Sequence, residues 1–374
     1  MLMPTSHELI DSQPQLERLC DSLAGIPKDA IACDTEFVRT QTYWPQLCII
    51  QIALDGEQFA VDVLADLDTT ILQELLLDRS EQTIYHAAKQ DMEALFSVYD
   101  RLPKAIFDTQ VGAALLGFQP QIGYAGLVGE LLEIDVPKDQ TRTDWSRRPL
   151  TDAQIDYALN DVAHLHEVFD IIDERLRGLG RYDWAIEDSN LMLDPSLYYI
   201  DSDAAWRRLA SVPYLPVAIQ ARARRLAAWR EDRARDSNRP RQWILADKAL
   251  LAVANDNPGD PEALARIDGI PPAVARKQGR RIVEILHEAN ADLGANEMDL
   301  RQEPTPVPPD KNEVKRLSAI VRSEAEKLGI APEILATRKD VTGILSGRDD
   351  LRVLQGWRRA IIGERLLEAA GSES

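Results

Sequence analysis

The chain is poor in cysteine, in long apolar runs and in net positive charge, and each shortage excludes a class of protein. Cys20, Cys33 and Cys48 are the only three cysteines, an odd number without metal-ligand spacing. Cys33 and Cys48 sit in apolar runs, so the thiols read as buried and free in a reducing compartment, with neither a disulfide framework nor a zinc site. No apolar run approaches the ~20 residues that a membrane span requires. The first residues lack a basic flank ahead of an apolar stretch, so no signal peptide is expected and a cytoplasmic location follows. The formal net charge of −19 argues against a simple nucleic-acid binder.

That average conceals an asymmetry. Residues 1–200 carry 14 Lys+Arg against 35 Asp+Glu, a net of −21. Residues 201–290 carry 16 against 12, a net of +4, and residues 291–374 carry 13 against 15. The acidic part must tolerate clustered carboxylates, whose repulsion bound cations would relieve. The basic middle could hold a polyanion.

At 374 residues the chain suits two or three domains. The first part alternates strands and helices. Ala30–Val38, Leu47–Leu54 and Gln58–Val63 read as three strands of a meander, with a turn at Asp55-Gly56. A short strand is expected at Thr83–His86. Helices are expected over Thr69–Leu77, Gln90–Val98, Ile106–Gly117, Gly126–Glu133 and Thr151–Leu176, the last opened by Thr151 and Asp152. Strands followed by alternating helices imply an α/β fold with a mixed sheet. Beyond residue 200 the strand signal disappears. The expected organisation is an α/β domain over 1–200, an all-α helical domain over 201–290, a Pro-rich linker over 291–310 and a second all-α domain over 311–374.

Three distant segments carry the chemistry: Asp34-Thr35-Glu36, Asp91, and Tyr157 through Asp161. On a strand, residues i and i+2 face the same way, so Asp34 and Glu36 project together. On a helix, i and i+4 share a face, which pairs Tyr157 with Asp161. If Asp91 lies beside them, four carboxylates converge, an arrangement that hard cations such as Mg²⁺ or Mn²⁺ would stabilise. Two such ions can activate a water and stabilise the leaving oxygen of a phosphodiester. A tyrosine hydroxyl can fix the direction of that water, although its ordinary pKa of ~10 makes it a poor base unaided. Each element alone has an ordinary reading. Asp-X-Glu arises by chance in acidic chains, a helical Tyr is commonly half-buried beside a solvated Asp, and Asp91 could serve a helix dipole. The conjunction is what points to a metal site.

The surrounding words add a family. Ile31–Thr40 followed by Tyr43-Trp44-Pro45-Gln46-Leu47 closely resembles the first exonuclease motif of bacterial ribonuclease D. His86-Ala87-Ala88-Lys89-Gln90-Asp91-Met92-Glu93 resembles the second motif, and Tyr157–Asp161 the third, in the tyrosine-bearing branch of the DEDD exonucleases. Phe107-Asp108-Thr109-Gln110 and Arg142–Leu150 are similar to further words of that family. The two helical blocks resemble HRDC domains, the first better than the second. The resemblance implies a ribonuclease H-like sheet and a 3′→5′ exoribonuclease that releases nucleoside 5′-monophosphates. It also implies two divalent ions and an RNA substrate, notably tRNA precursors with 3′ trailers. Residue by residue, Asp34 would bridge both ions, Glu36 and Asp161 would complete one site, Asp91 would hold the second ion partly through water, and Tyr157 would orient the attacking water. Asp108 either supports the site from behind or caps the helix that starts at Thr109; the cap is the preferred reading.

Other residues offer contacts to RNA. His86 could touch a phosphate or sugar, or be satisfied by local backbone. Trp145, Arg147 and Arg148 could stack on or pair with RNA, with loop packing the stronger expectation. His164 and His166 read as structural. The arginines from Arg222 to Arg241, with Arg222, Arg225 and Arg233 foremost, form either a solvated helix face or a track of phosphate contacts, and their clustering favours the track. Trp229 and Trp243 read as core. The domain plan suits a monomer.

Overall fold

A computed structural model describes residues 7–24, 31–54, 56–78, 82–137, 143–295 and 300–371. Ala30 of the expected first strand, Asp55 of the expected turn, Arg142 of the basic word and residues 296–299 of the expected linker lie outside these. The described residues form two compact units. One takes the chain up to Val38, Gln46–Pro195 and everything from Val307 on; the other takes Arg39–Pro45 and Ser196–Pro306.

The first unit is built on a six-stranded mixed sheet. Its strands are β1 (His7–Ile10), β2 (Ala32–Val38), β3 (Gln46–Leu54), β4 (Glu57–Asp62), β5 (Thr83–Tyr85) and β6 (Ile106–Asp108). Their order across the sheet is β1-β4-β3-β2-β5-β6. The meander survives: β2 pairs antiparallel with β3, and β3 with β4. β1, β5 and β6 join in parallel. In β3 every residue after Gln46 is buried, as expected of a central strand covered on both faces, where an apolar run replaces alternation. Helices Lys89–Tyr99 and Asp152–Asn160 both pack against β3, the first also against β2 and the second against β4.

Three expectations need correction. β1 was not anticipated; its four residues are too few to show a period. Ile106–Asp108, expected at the start of a helix, is a strand paired with β5, and the helix runs only over Thr109–Leu115. Periodicity cannot separate a short apolar strand from a buried helical turn, and here the neighbouring strand decides. The expected helix Thr151–Leu176 is two helices, Asp152–Asn160 and Leu165–Gly178, broken immediately after the third motif. Its start is as expected, a capping box between Thr151 and Gln154.

The last helical block does not keep a core to itself. Leu317, Val321, Val341, Val353, Trp357, Ile362 and Leu366 pack in one cluster with Phe107, Leu115, Leu127, Val168 and Ile172. Trp357 stacks on Trp184 with ring centroids 4.3 Å apart and planes 2° from parallel. At Gly117 (φ +98°) an added Cβ would lie 2.4 Å from the carbonyl oxygen of Gly329, so only glycine allows that backbone approach. Arg358, 2% exposed, donates both Nη atoms to the two carboxylate oxygens of Asp188 at 2.5 Å. Arg358→Ala would strand the Asp188 charge, and loss of one partner of a buried pair typically costs about 3–5 kcal/mol. The expected outcome is a matching drop in unfolding free energy by urea titration; a change below about 1 kcal/mol, the range of exposed pairs, would contradict the pair's structural role.

The second unit is helical. Val217–Asp236, Asp247–Asp256 and Pro272–Gly294 enclose Leu226, Leu250, Val253, Leu264, Ile282 and Leu286. The segment Arg39–Pro45, which follows β2 directly, belongs here: the Tyr43 hydroxyl donates to the buried Glu231, and Asn238 Oδ1 accepts from the Tyr43 and Trp44 amides at 3.0 and 3.2 Å. Residues 300–310 carry no helix or strand.

Candidate active site

β2 supplies two carboxylates. Asp34 and Glu36 are half-buried on one face, and a register shift just after Glu36 bends the strand there. Such bulges re-aim side chains beside functional sites. β5 pairs with β2 only at Ala32, so past that point the edge of β2 is open to a helix. Asp91, in the first turn of Lys89–Tyr99 and 5% exposed, fills the place: its Oδ1 accepts from the Thr35 amide at 3.1 Å and from the Thr35 hydroxyl at 2.6 Å. The third segment arrives on Asp152–Asn160. The break after it leaves Asp161 as C-cap, its amide still donating to the Tyr157 carbonyl at 3.1 Å, so the two side chains keep the helical i, i+4 relation.

The structure brings Asp34, Glu36 and Asp161 together, with one carboxylate oxygen of each within 4.8 Å of the others. Asp91 is not in that tight group, but it is the foremost charge acting on Asp34. Tyr157 hydrogen-bonds Asp161 and lies against Trp145, ring centroids 6.0 Å apart.

The electrostatics are those of a site short of positive charge. Burial, then Asp91, Asp161 and Glu36, holds the Asp34 carboxyl well above the usual range. Burial followed by Asp161 and Asp91 pushes Glu36 up to about 9. Burial lifts Asp91 to about 7 against the Thr35 hydroxyl, and Asp161 to about 7 against the Tyr157 hydrogen bond. A purely structural cluster would carry a Lys or Arg among these charges; the strongest ones here are all carboxylates. Gln51, opposite Asp34 in β3 and 0% exposed, leaves both side-chain polar atoms without a partner. A clustered set of hard oxygen donors with an orphaned amide next to them fits a divalent cation with its waters.

A pH dependence follows. These carboxyls titrate higher folded than unfolded, where 3.8 and 4.5 apply, so the folded state binds the extra protons. Their stabilisation is complete below about pH 4 and is lost as pH rises through about 7 and then about 9. Divalent ions compete with those protons. In thermal melts, Mg²⁺ will therefore raise the Tm more at pH 8 than at pH 6, and Asp34→Asn will flatten the metal-free profile. An equal Mg²⁺ effect at both pH values would contradict the coupling.

Asp108 caps the helix after it, as expected, and does more. Oδ1 accepts from the Gln110 amide at 2.8 Å and the Ala87 amide at 3.0 Å, and Oδ2 from the Ala88 amide at 2.9 Å. It thus pins the turn at Ala87 (φ +59°) from which the Asp91 helix starts. The two expected roles of Asp108, cap and support from behind, are thus both realised, while Thr35 and Gln51 were not anticipated. Only Thr35 carried a signal, lying between two motif acids.

The residues expected against RNA are mostly engaged internally. His86 Nδ1 meets Thr109 Oγ1 at 2.9 Å and Nε2 meets the Ile122 carbonyl at 3.0 Å, while burial lowers its pKa. Trp145 is 2% exposed. Arg148 chelates Asp62 through Nε and Nη2, both at 2.5 Å, and donates to the carbonyls of Trp145 and Cys48, which ties its loop to β3 and β4. Arg222 is buried against the Ala254 carbonyl at 2.6 Å, and Arg225 pairs with Asp292. Arg233 is exposed. Trp229 is half-buried in the core as expected, but Trp243 is not: it stands 56% exposed. Among the described residues no helix is long and apolar enough to cross a membrane, and the three cysteines are buried and free.

The fold and the acid cluster define a nuclease class. A family model for 3′-5′ exonucleases matches residues 7–177, and an HRDC domain model matches residues 219–286. A ribonuclease D of Gluconacetobacter diazotrophicus is 38% identical over 345 residues, 90% of this chain and 86% of the relative. One from Granulibacter bethesdensis is 34% identical over 379 residues, 98% and 93% of the two chains. The crystal structure of Escherichia coli RNase D, described as an exoribonuclease involved in structured RNA processing, superposes with a TM-score of 0.86 at 26% identity, covering 99% of this chain and 100% of that one. The chain belongs to the ribonuclease D family, and is a 3′-5′ exoribonuclease with an HRDC domain.

Proposed function

We propose that this enzyme trims structured RNA, tRNA precursors with short 3′ trailers foremost, one nucleoside 5′-monophosphate at a time, as a cytoplasmic monomer. The observation that carries the reading is the grouping of Asp34, Glu36 and Asp161 beside Asp91 and Tyr157. Asp34, Glu36 and Asp161 would hold one divalent ion, and Asp34 with Asp91 a second, Mg²⁺ or Mn²⁺ by donor chemistry. Bound there, such ions supply an activated water and stabilise the leaving 3′ oxygen. The chain's own residues do the rest. Thr35 fixes the Asp91 carboxylate, and the Tyr157 hydroxyl is placed by Asp161 to aim the attacking water at phosphorus. Residues 201–294, through the end of the helix Pro272–Gly294 and thus past the expected boundary at 290, and residues 311–374 act as HRDC-like blocks, and the basic 201–290 part takes RNA phosphates.

The test is a time course on a 5′-labelled tRNA precursor beside a 5′-labelled DNA strand of matched tail, in Mg²⁺ and in Mn²⁺. Stepwise loss of the RNA trailer, abolished by EDTA, is the expected result. Digestion of DNA with the RNA left intact would overturn the choice of substrate, and no cleavage with either metal would overturn the site.

A further inference from the structure

Among the described residues, three surface hollows outside the acid cluster that hold basic residues differ in charge and shape. One, on the second unit, is lined by Arg225, Arg233 and Arg281 but also by Asp203, Asp232, Asp236 and Glu288, so it presents no net positive field. Another, between the helices Lys311–Leu328 and Arg338–Leu345, has Lys311, Lys315, Arg322 and Arg338 against Glu333, yet offers no aromatic face. The third combines both features. It measures about 470 Å³ and is lined by Arg233, Arg239, Lys277 and Trp243, with no acidic residue. Among the described residues no ion pair holds Arg233, Arg239 or Lys277.

Trp243 is the unusual member. It sits in the short helix Arg241–Ile244, directly after Pro240, and is 56% exposed. Tryptophan has more apolar surface to bury than other side chains, so leaving this one in water forfeits stabilisation the core could have gained. Next to it stand three cations that no ion pair among the described residues holds, in a chain whose net charge is −19. An aromatic face ringed by cations is how proteins grip single-stranded nucleic acid without reading its sequence: the ring stacks a base while the cations neutralise flanking phosphates. The volume falls in the range of about 300–1,000 Å³ usual for sites that take one small-molecule-sized group.

We propose that this hollow is a binding subsite for one nucleotide of single-stranded RNA, with Trp243 stacking on the base and Arg233, Arg239 and Lys277 contacting the phosphates to either side. The proposal rests on the exoribonuclease reading and deepens it by giving the second unit a specific grip on the substrate. Arg222 and Arg225, engaged internally, take no part.

The experiment uses the full chain and a labelled oligo(U) strand of about 20 nucleotides, longer than the ~4–16 that one small binding fold usually covers. Binding is measured in EDTA, so that nothing is cleaved, and hydrolysis of a labelled trinucleotide in Mg²⁺ reports the acid cluster separately. Trp243→Ala is expected to weaken oligo(U) binding about tenfold, and Trp243→Phe, which keeps a ring, to stay within about threefold of wild type. Arg239→Ala with Lys277→Ala is expected to flatten the slope of log affinity against log salt by about 1.4, two phosphate contacts at ~0.7 each. Trinucleotide hydrolysis and Tm stay at wild-type values, because these side chains are exposed. Wild-type oligo(U) binding in both the Trp243→Ala and the double variant overturns the proposal and leaves the hollow to a protein partner or to solvent. A wild-type protein that neither binds oligo(U) nor cuts the trinucleotide overturns the exoribonuclease reading itself, a result the first outcome does not mimic.

Discussion

Asp34→Asn will reduce hydrolysis of an RNA 3′ tail by about 10³-fold or more at saturating substrate, since metal stabilisation of transition-state charge is worth several kcal/mol at ~1.4 kcal/mol per decade. Asp34 is the residue on which the whole cluster acts: Asp91, Asp161 and Glu36 all raise its pKa. The substitution keeps the shape, removes one negative charge and replaces an anionic ligand by a neutral one. The folded protein should become more stable without metal even as activity disappears, because repulsion at the centre is relieved. Calorimetric titration with Mn²⁺ beside the kinetic assay checks both halves. Retained activity with Mn²⁺ binding intact would show that the hydrolytic centre lies elsewhere.

Tyr157→Phe will lower kcat by about 10²-fold with little change in KM, the lower end of what one positioned proton-transfer or water-orienting group contributes. The variant loses the hydroxyl but keeps the ring beside Trp145. There is a second effect. The Tyr157 hydrogen bond is what opposes the rise in the Asp161 pKa. Without it Asp161 holds its proton to higher pH, so half-maximal activity should require more Mg²⁺ near pH 7 and about the same near pH 9. A pH profile at two Mg²⁺ concentrations distinguishes this from simple loss of packing, which would shift neither.

The acid cluster was readable in the sequence because its rules are local. Period two on β2 aligned Asp34 with Glu36, and period 3.6 aligned Tyr157 with Asp161, whatever the rest of the chain did. The meander β2–β3–β4 was readable for the same reason: its strands are neighbours along the chain and in space. What local rules do not contain is partnership. Ile106–Asp108 became a strand because β5 was there to pair with it. Loop packing was the stronger expectation for Arg148, but nothing near it in sequence announced Asp62 as its partner. Trp243 looked like core because tryptophans usually are, and only the packing of Asp247–Asp256 and Pro272–Gly294 without it left it outside. The helix break at Asp161 belongs with these. The pattern continued through it, while the chain turned to seat Val162 and Leu165 against Ala32 and Ile84 of the sheet.

The joint core of residues 107–185 and 314–366 has a bearing on how the molecule comes into being. Domains generally fold as they leave the ribosome, N-terminal first. Here Phe107, Leu115 and Val168 wait for Leu317, Val341 and Trp357, which emerge some hundred and fifty to two hundred and fifty residues later in the sequence. A nascent chain therefore exposes an apolar surface until the helices from Lys311 on have been made, and an RNA-degrading enzyme caught before that point is one not yet fully assembled.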